Sequence, residues 1–168
     1  SSGNEITAGA DVVISVGCRF TDWSASSYAK GVTFSFPPAK LIHIDLDPHE
    51  IGKNYPTEVG IVADAKVTLE AMLERITDLQ SINALKIHEP FLADVQTAKD
   101  KWEAMLAPRR DSTESPFTSQ HPLKILREVL DRDGIVTVGS GNTQGAVKQS
   151  FPVYQPRTHL TSGSFSPM

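Results

Sequence analysis

Three short apolar runs, too far apart to be hairpins, constrain this chain most. Asp11-Val-Val-Ile-Ser-Val-Gly17, Lys40-Leu-Ile-His-Ile-Asp45 and Val59-Gly-Ile-Val-Ala63 are rich in β-branched residues and end at glycine or at an acidic residue. Runs of this kind read as buried strands of a parallel sheet. Parallel neighbours need long connections, and here the second and third runs are reached only after extended intervening segments. Asp64 then reads as the N-cap of a helix with Leu69, Met72, Leu73, Ile76 and Leu79 on one face. The fold class that follows is α/β, a parallel sheet with flanking helices.

Pro90 suits the first turn of another helix, in which Phe91, Leu92, Val95, Ala98, Trp102, Met105 and Leu106 keep helical spacing. Residues 107–120 are rich in Pro, Ser, Thr and charge, without periodicity, and read as a boundary between two domains. Beyond them Pro122 to Leu130 is helical by period. Gly134-Ile-Val-Thr-Val-Gly139 is a strand entering a glycine-rich turn, and His159-Leu-Thr161 is a further strand. The predicted layout is therefore 1–106, a linker at 107–120, and a partial second α/β domain at 121–168.

Composition narrows the function classes. The 168 residues are 39% hydrophobic and carry a net charge of −4. No basic run points to nucleic acid, and no apolar run approaches a membrane span. The lone Cys18 excludes an internal disulfide framework and fits a reducing, cytoplasmic setting. Five histidines show no metal-ligand spacing, and His43, alternating within a strand, reads as packed rather than catalytic.

Three places carry candidate chemistry. Gly139-Ser-Gly-Asn-Thr-Gln-Gly145 follows a strand, and its backbone N–H groups could cradle phosphate. The alternative is a tight turn without a ligand. A nicotinamide site would want an acidic residue some 20 positions on, yet the sequence has no Asp or Glu after Asp133. Asp45 and Asp47, at the end of the second run, could accept hydrogen bonds from ribose or could cap the turn begun by Pro48. Arg19, just past Gly17, could grip a phosphate or pair with Asp22.

The order of these motifs resembles the thiamine-diphosphate-dependent family of acetolactate synthase. Asp11-Val-Val-Ile-Ser-Val-Gly-Cys-Arg-Phe-Thr-Asp22 is similar to the family's apolar strand and Gly-Ala-Arg-Phe segment. Ile42-His-Ile-Asp-Leu-Asp-Pro-His-Glu-Ile-Gly-Lys-Asn54 resembles its middle-domain consensus. Asp64-Ala65 falls at its Gly-Asp-Ala step, Gly141-Asn-Thr-Gln144 at its Gly-Gln-His-Gln turn, and Gly163-Ser-Phe-Ser-Pro-Met168 near its Gly-Gly-Leu-Gly-Thr-Met segment.

The resemblance implies the C-terminal part of a Rossmann-like middle domain, then the start of the thiamine-diphosphate-binding domain, so the chain reads as a piece of a longer enzyme. Family members hold FAD, ADP or nothing in the middle domain. Gly17, Arg19, Asp45, Asp64 and Ala65 match positions lining that nucleotide. Gly141, Asn142, Thr143 and Gln144 match the turn at the thiamine diphosphate. Ser166 matches the residue whose carbonyl meets the aminopyrimidine, and Met168 the residue wedged between its rings. The family's catalytic glutamate and Mg²⁺-binding segment have no counterpart in these residues, so no catalytic or metal residue is assigned and the piece alone is expected to be inactive.

The implied parent acts on a 2-oxo acid such as pyruvate through the thiamine ylide. It loses CO₂, passes the two-carbon unit to an acceptor, and works as a homodimer or homotetramer. Family neighbours (lyases, sulfoacetaldehyde acetyltransferase, hydrolases of cyclic diketones) and a non-catalytic nucleotide-binding or structural module are the alternatives. Trp23-Ser-Ala-Ser-Ser-Tyr28 departs from the family's Arg-containing continuation, and Thr143 stands where many members have His.

Overall fold

A computed structural model of the chain describes residues 1–82 and 89–162. The chain divides into two compact units, Ser1–Lys99 and Asp100–Met168.

In the first unit, helix α1 (Ser2–Ala8) leads into strand β1 (Val12–Val16), followed by β2 (Lys40–Asp45), β3 (Val59–Val62) and helix α2 (Ala65–Ser81). The sheet order is β1-β2-β3 and both pairs are parallel. Val13 faces Leu41, Ser15 faces His43, and Asp45 faces Val62. The three predicted strands are present, and β2 has the bounds read from the sequence.

One face of this sheet carries the core. Phe20, Phe36, Ala39 and Leu41 form a buried cluster, with Val13, Cys18, Phe34 and Tyr55 packed against it. The aromatic residues come from the long β1–β2 and β2–β3 connections, so these loops act as the covering layer that a helix would otherwise supply.

β1 is not the buried strand its apolar run suggests. Val12 and Ile14 are each 50% exposed and Val16 is 37% exposed, while Ser15 between them is buried. Alternate residues of a strand point to opposite faces, and only the Val13–Ser15 face meets the aromatic cluster. Likewise Leu69, Leu73 and Ile76, the apolar face of α2, are exposed among the described residues.

Asp64 caps α2 as expected. Its Oδ1 accepts from the N–H groups of Lys66 (2.9 Å) and Val67 (3.1 Å). Two otherwise unpaired donors are satisfied, an arrangement worth about 1 kcal/mol.

Helix α3 (Glu89–Asp111) runs across the division between the units. It continues through Pro108, so residues 107–111 are helical rather than part of an irregular linker. Proline near the end of a helix still costs a backbone hydrogen bond. Arg109 and Arg110 in the last turn favour the helix C-terminus electrostatically.

The second unit adds helix α4 (Gln120–Val129), strand β4 (Val136–Val138), helix α5 (Asn142–Ser150) and strand β5 (His159–Thr161). β4 and β5 pair in parallel, with Val138 opposite Thr161. Val138, Val147 and Phe151 form the core, with Leu123, Leu130 and Val136 against it. Arg127 closes α4 by donating to the carbonyls of Leu130 and Asp131, and its guanidinium lies 5.1 Å from the ring centres of Phe151 and Tyr154.

An exposed ion pair joins α3 to α4: Lys124 Nζ lies 2.9 Å from Asp111 Oδ1. The hydrogen bond from Lys124, reinforced by the positive charges of Lys124 and Arg110, lowers the Asp111 pKa. The bond to Asp111 and its charge raise that of Lys124. The Asp111 contribution to stability is present above the ordinary carboxylate value and is lost as pH falls through the lowered one. The Lys124 contribution is present below the ordinary amine value and is lost as pH rises through the raised one. Lys124→Met should return the Asp111 carboxyl to a higher pKa, read by NMR titration of its side-chain carbonyl. An unmoved titration would show that Lys124 is not its main partner.

Candidate cofactor site

The carboxyl ends of β1, β2 and β3 lie level, which is where open parallel sheets bind ligands. The Gly17 N–H donates to the Ile44 carbonyl (2.8 Å) and the Ala63 N–H to the Asp45 carbonyl (3.1 Å). Gly17, Asp45 and Asp64 are thus brought to one edge. Gly17 has φ +62°, and a Cβ there would meet no atom within 4 Å. The backbone here is left-handed and open, a conformation that glycine adopts without strain.

The segment after Gly17 is anchored from two sides. Asn54 Nδ2 donates to the carbonyls of Arg19 (3.0 Å) and Phe20 (3.1 Å). His43, 1% exposed, has Nε2 2.9 Å from the Cys18 carbonyl. A carbonyl only accepts, so Nε2 carries the proton and donates. His43 is therefore a packed, structural histidine, as its place in the strand suggested.

Arg19 itself is exposed and has no ion-pair partner among the described residues. Of the two readings left open for Arg19, the pair with Asp22 is not formed, because Asp22 Oδ1 instead accepts from the Trp23 N–H at 2.8 Å. A local backbone donor one residue away competes better than a long, mobile side chain whose ordering costs entropy.

The carboxylates at the edge are held by backbone. Asp45 Oδ1 accepts from the Asp47 N–H and Asp47 Oδ1 from the His49 N–H, each at 2.9 Å. Both residues shape the turn at Pro48, so the turn reading of the sequence holds for the pair. Each bond uses one carboxylate oxygen, as does the Asp64 cap, which leaves acceptor capacity on all three side chains. Ala65 opens α2 and is exposed.

In the second unit, β4 runs into Gly139-Ser140-Gly141 and α5 starts at Asn142. The turn is shorter than the glycine pattern suggested, since Gly145 lies inside the helix. Gly141, the N-cap, has φ +103°, and a Cβ there would meet nothing within 4 Å. Among the described residues no side chain caps α5. The Gln144 N–H bonds the Gly141 carbonyl at 3.1 Å. Among the described residues no partner is assigned to the N–H groups of Gly141, Asn142 and Thr143.

Three adjacent free donors at a helix N-terminus, on an open glycine, in a segment without carboxylates, fit an anionic group such as a diphosphate. The Gln144 side chain is already engaged: Nε2 donates to Thr161 Oγ1 at 2.6 Å. Thr161 and Asn54 were not singled out from the sequence. Each acts through a contact between distant segments, for which one sequence carries no signal.

Ser166 and Met168 lie outside the described residues. Among the described residues no group of three or more His, Cys, Asp or Glu could hold a metal ion, and no helix is long and apolar enough to cross a membrane.

The profile of the thiamine pyrophosphate enzyme central domain matches residues 1–72. A probable acetolactate synthase large subunit of Methanocaldococcus jannaschii is 33% identical over 94% of this chain and 26% of its own length. The pyruvate oxidase of Lactiplantibacillus plantarum is 27% identical over 98% of the chain and 25% of its own length. The glyoxylate carboligase of Escherichia coli O157:H7 is 26% identical over 99% of the chain and 27% of its own length. The chain spans about a quarter of the length of these relatives. With the central-domain match over residues 1–72 and relatives aligned across both units, the chain is similar along its length to thiamine-diphosphate-dependent enzymes of the acetolactate synthase kind.

Proposed function

We propose that these residues serve a thiamine-diphosphate-dependent enzyme that decarboxylates a 2-oxo acid such as pyruvate and transfers the two-carbon unit to an acceptor, as acetolactate synthase does. The observation that carries this reading is the uncapped N-terminus of α5 at the carboxyl ends of β4 and β5, within a chain that aligns with such enzymes through both units.

In this reading residues 1–106 are the later part of the middle domain, 107–120 join the two domains, first as the last turn of α3 and then as an irregular segment, and 121–168 are the start of the cofactor domain. The backbone N–H groups of Gly141, Asn142 and Thr143 hold the diphosphate, and Gln144 completes the turn. Mg²⁺ accompanies the diphosphate, with ligands from outside the described residues. Bound there, thiamine diphosphate supplies the carbon nucleophile and electron sink that 2-oxo acid decarboxylation needs. Ser166 and Met168, outside the described residues, are the positions that would meet the aminopyrimidine and the rings of the cofactor. At the other edge, Gly17, Arg19, Asp45, Asp64 and Ala65 line an FAD or ADP. The free Arg19 guanidinium is the group suited to its phosphates. The working enzyme is a cytoplasmic homodimer or homotetramer.

The test is CO₂ release from pyruvate by the full-length protein, with thiamine diphosphate and Mg²⁺ each omitted in turn. Turnover that needs both is expected. Cofactor binding without turnover would keep the family and remove pyruvate as the substrate, directing the search to other 2-oxo acids and to cyclic diketones.

A further inference from the structure

We propose that Gln144 is a positioning residue for the cofactor turn, a clamp that ties the first turn of α5 to the end of β5. The proposal rests on the assignment of that turn to the diphosphate. The first turn of α5 has little of its own to hold it. It follows a left-handed glycine and has no side-chain cap among the described residues. It is built from Asn142, Thr143 and Gln144, followed by Gly145, and Asn, Thr and Gly are poor helix formers.

The later part of α5 is fixed by burial of Ala146 and Val147, whereas Gly141, Asn142 and Thr143 are exposed. The bond from Gln144 Nε2 to Thr161 Oγ1 spans 17 residues of sequence and joins this exposed turn to β5. Since β5 is paired in register with β4, which leads directly into the turn, the clamp closes a strand–turn–helix–strand loop. Closure restricts the directions in which the three free N–H groups point. Donors already aimed at an anion bind it without the entropic cost of ordering the turn.

The test uses Gln144→Met, Thr161→Val and the double variant of the full-length protein. Thiamine diphosphate affinity is measured by titration calorimetry in Mg²⁺. Amide hydrogen exchange at 141–144 is measured without cofactor. Each single variant should weaken binding about fivefold, the double no more than either, since the same Gln144–Thr161 bond is lost in every case. Exchange at the turn should quicken in all three.

If Gln144→Met weakens binding while Thr161→Val changes neither affinity nor exchange, Gln144 touches the cofactor directly and the clamp is overturned. Unchanged exchange in all three variants overturns it as well. A wild-type protein that binds no thiamine diphosphate overturns the site assignment, a result separate from the exchange measurement.

Discussion

Phe20→Ala should cost the first unit about 3–5 kcal/mol, the usual loss for truncating a buried phenylalanine. The Phe20 ring is 3% exposed and meets four rings edge-on: Phe34 at 5.3 Å, Phe36 at 6.4 Å, His43 at 5.2 Å and Tyr55 at 5.4 Å. Edge-to-face pairs add to the area term because the ring edge meets a negative face.

Its backbone is also left-handed, with φ +48°, which is strained for a bulky side chain. Packing and the two Asn54 bonds hold it there. Alanine would retain backbone strain and lose the packing that offsets it. The loss is a large share of a typical domain stability of about 5–15 kcal/mol. Urea unfolding followed by circular dichroism should show a much lower midpoint. A change below about 1 kcal/mol would mean that the loops carrying these aromatic residues do not form the working core.

Gly141→Val should weaken thiamine diphosphate binding by roughly ten- to a hundredfold, the equivalent of about 1–3 kcal/mol of backbone strain. A β-branched residue resists φ +103°. No neighbouring atom clashes with the new Cβ, so the cost lies in the backbone. The chain would relax by turning the adjoining peptide planes, and with them the N–H groups proposed to hold the diphosphate.

Gly145→Ala is the informative contrast. Gly145 sits within α5, no positive φ applies to it, and a Cβ meets nothing within 4 Å. Alanine there should stabilise the protein by about 0.4–1 kcal/mol and leave binding unchanged. Equal loss of binding in both variants would show that the loop requires small residues throughout rather than one left-handed hinge.

The pattern of the sequence was enough for the strands. Lys40–Asp45 and His159–Thr161 stand out because β-branched and apolar residues are bounded by polar punctuation, and the structure has strands with those bounds. The Asp64 cap was legible for the same reason, since a cap is made within three residues of sequence. The carboxylates at Asp45 and Asp47 were legible as turn formers because Pro48 follows them directly. Every one of these features is local, and local sequence fixes local hydrogen bonding.

What the pattern left open depends on partners brought from afar. An apolar run cannot say whether one face or both will be covered, and β1 proved half exposed. The continuation of α3 through Pro108 tolerates an intrinsically poor helix residue near its end. Arg19 has no ion-pair partner among the described residues because Asp22 bonded to its own neighbour. Thr161 became the partner of Gln144 only once β4 and β5 paired.

The sequence by itself determined the parallel α/β class, the places where strands end, and the resemblance to thiamine-diphosphate-dependent enzymes. Only the tertiary structure decided which carboxylates are already committed, which donors at Gly141 to Thr143 have no partner among the described residues, and that Gln144 reaches across to β5. Those outcomes depend on register and on competition between distant groups for the same hydrogen bonds, and neither is written in the order of residues along one chain.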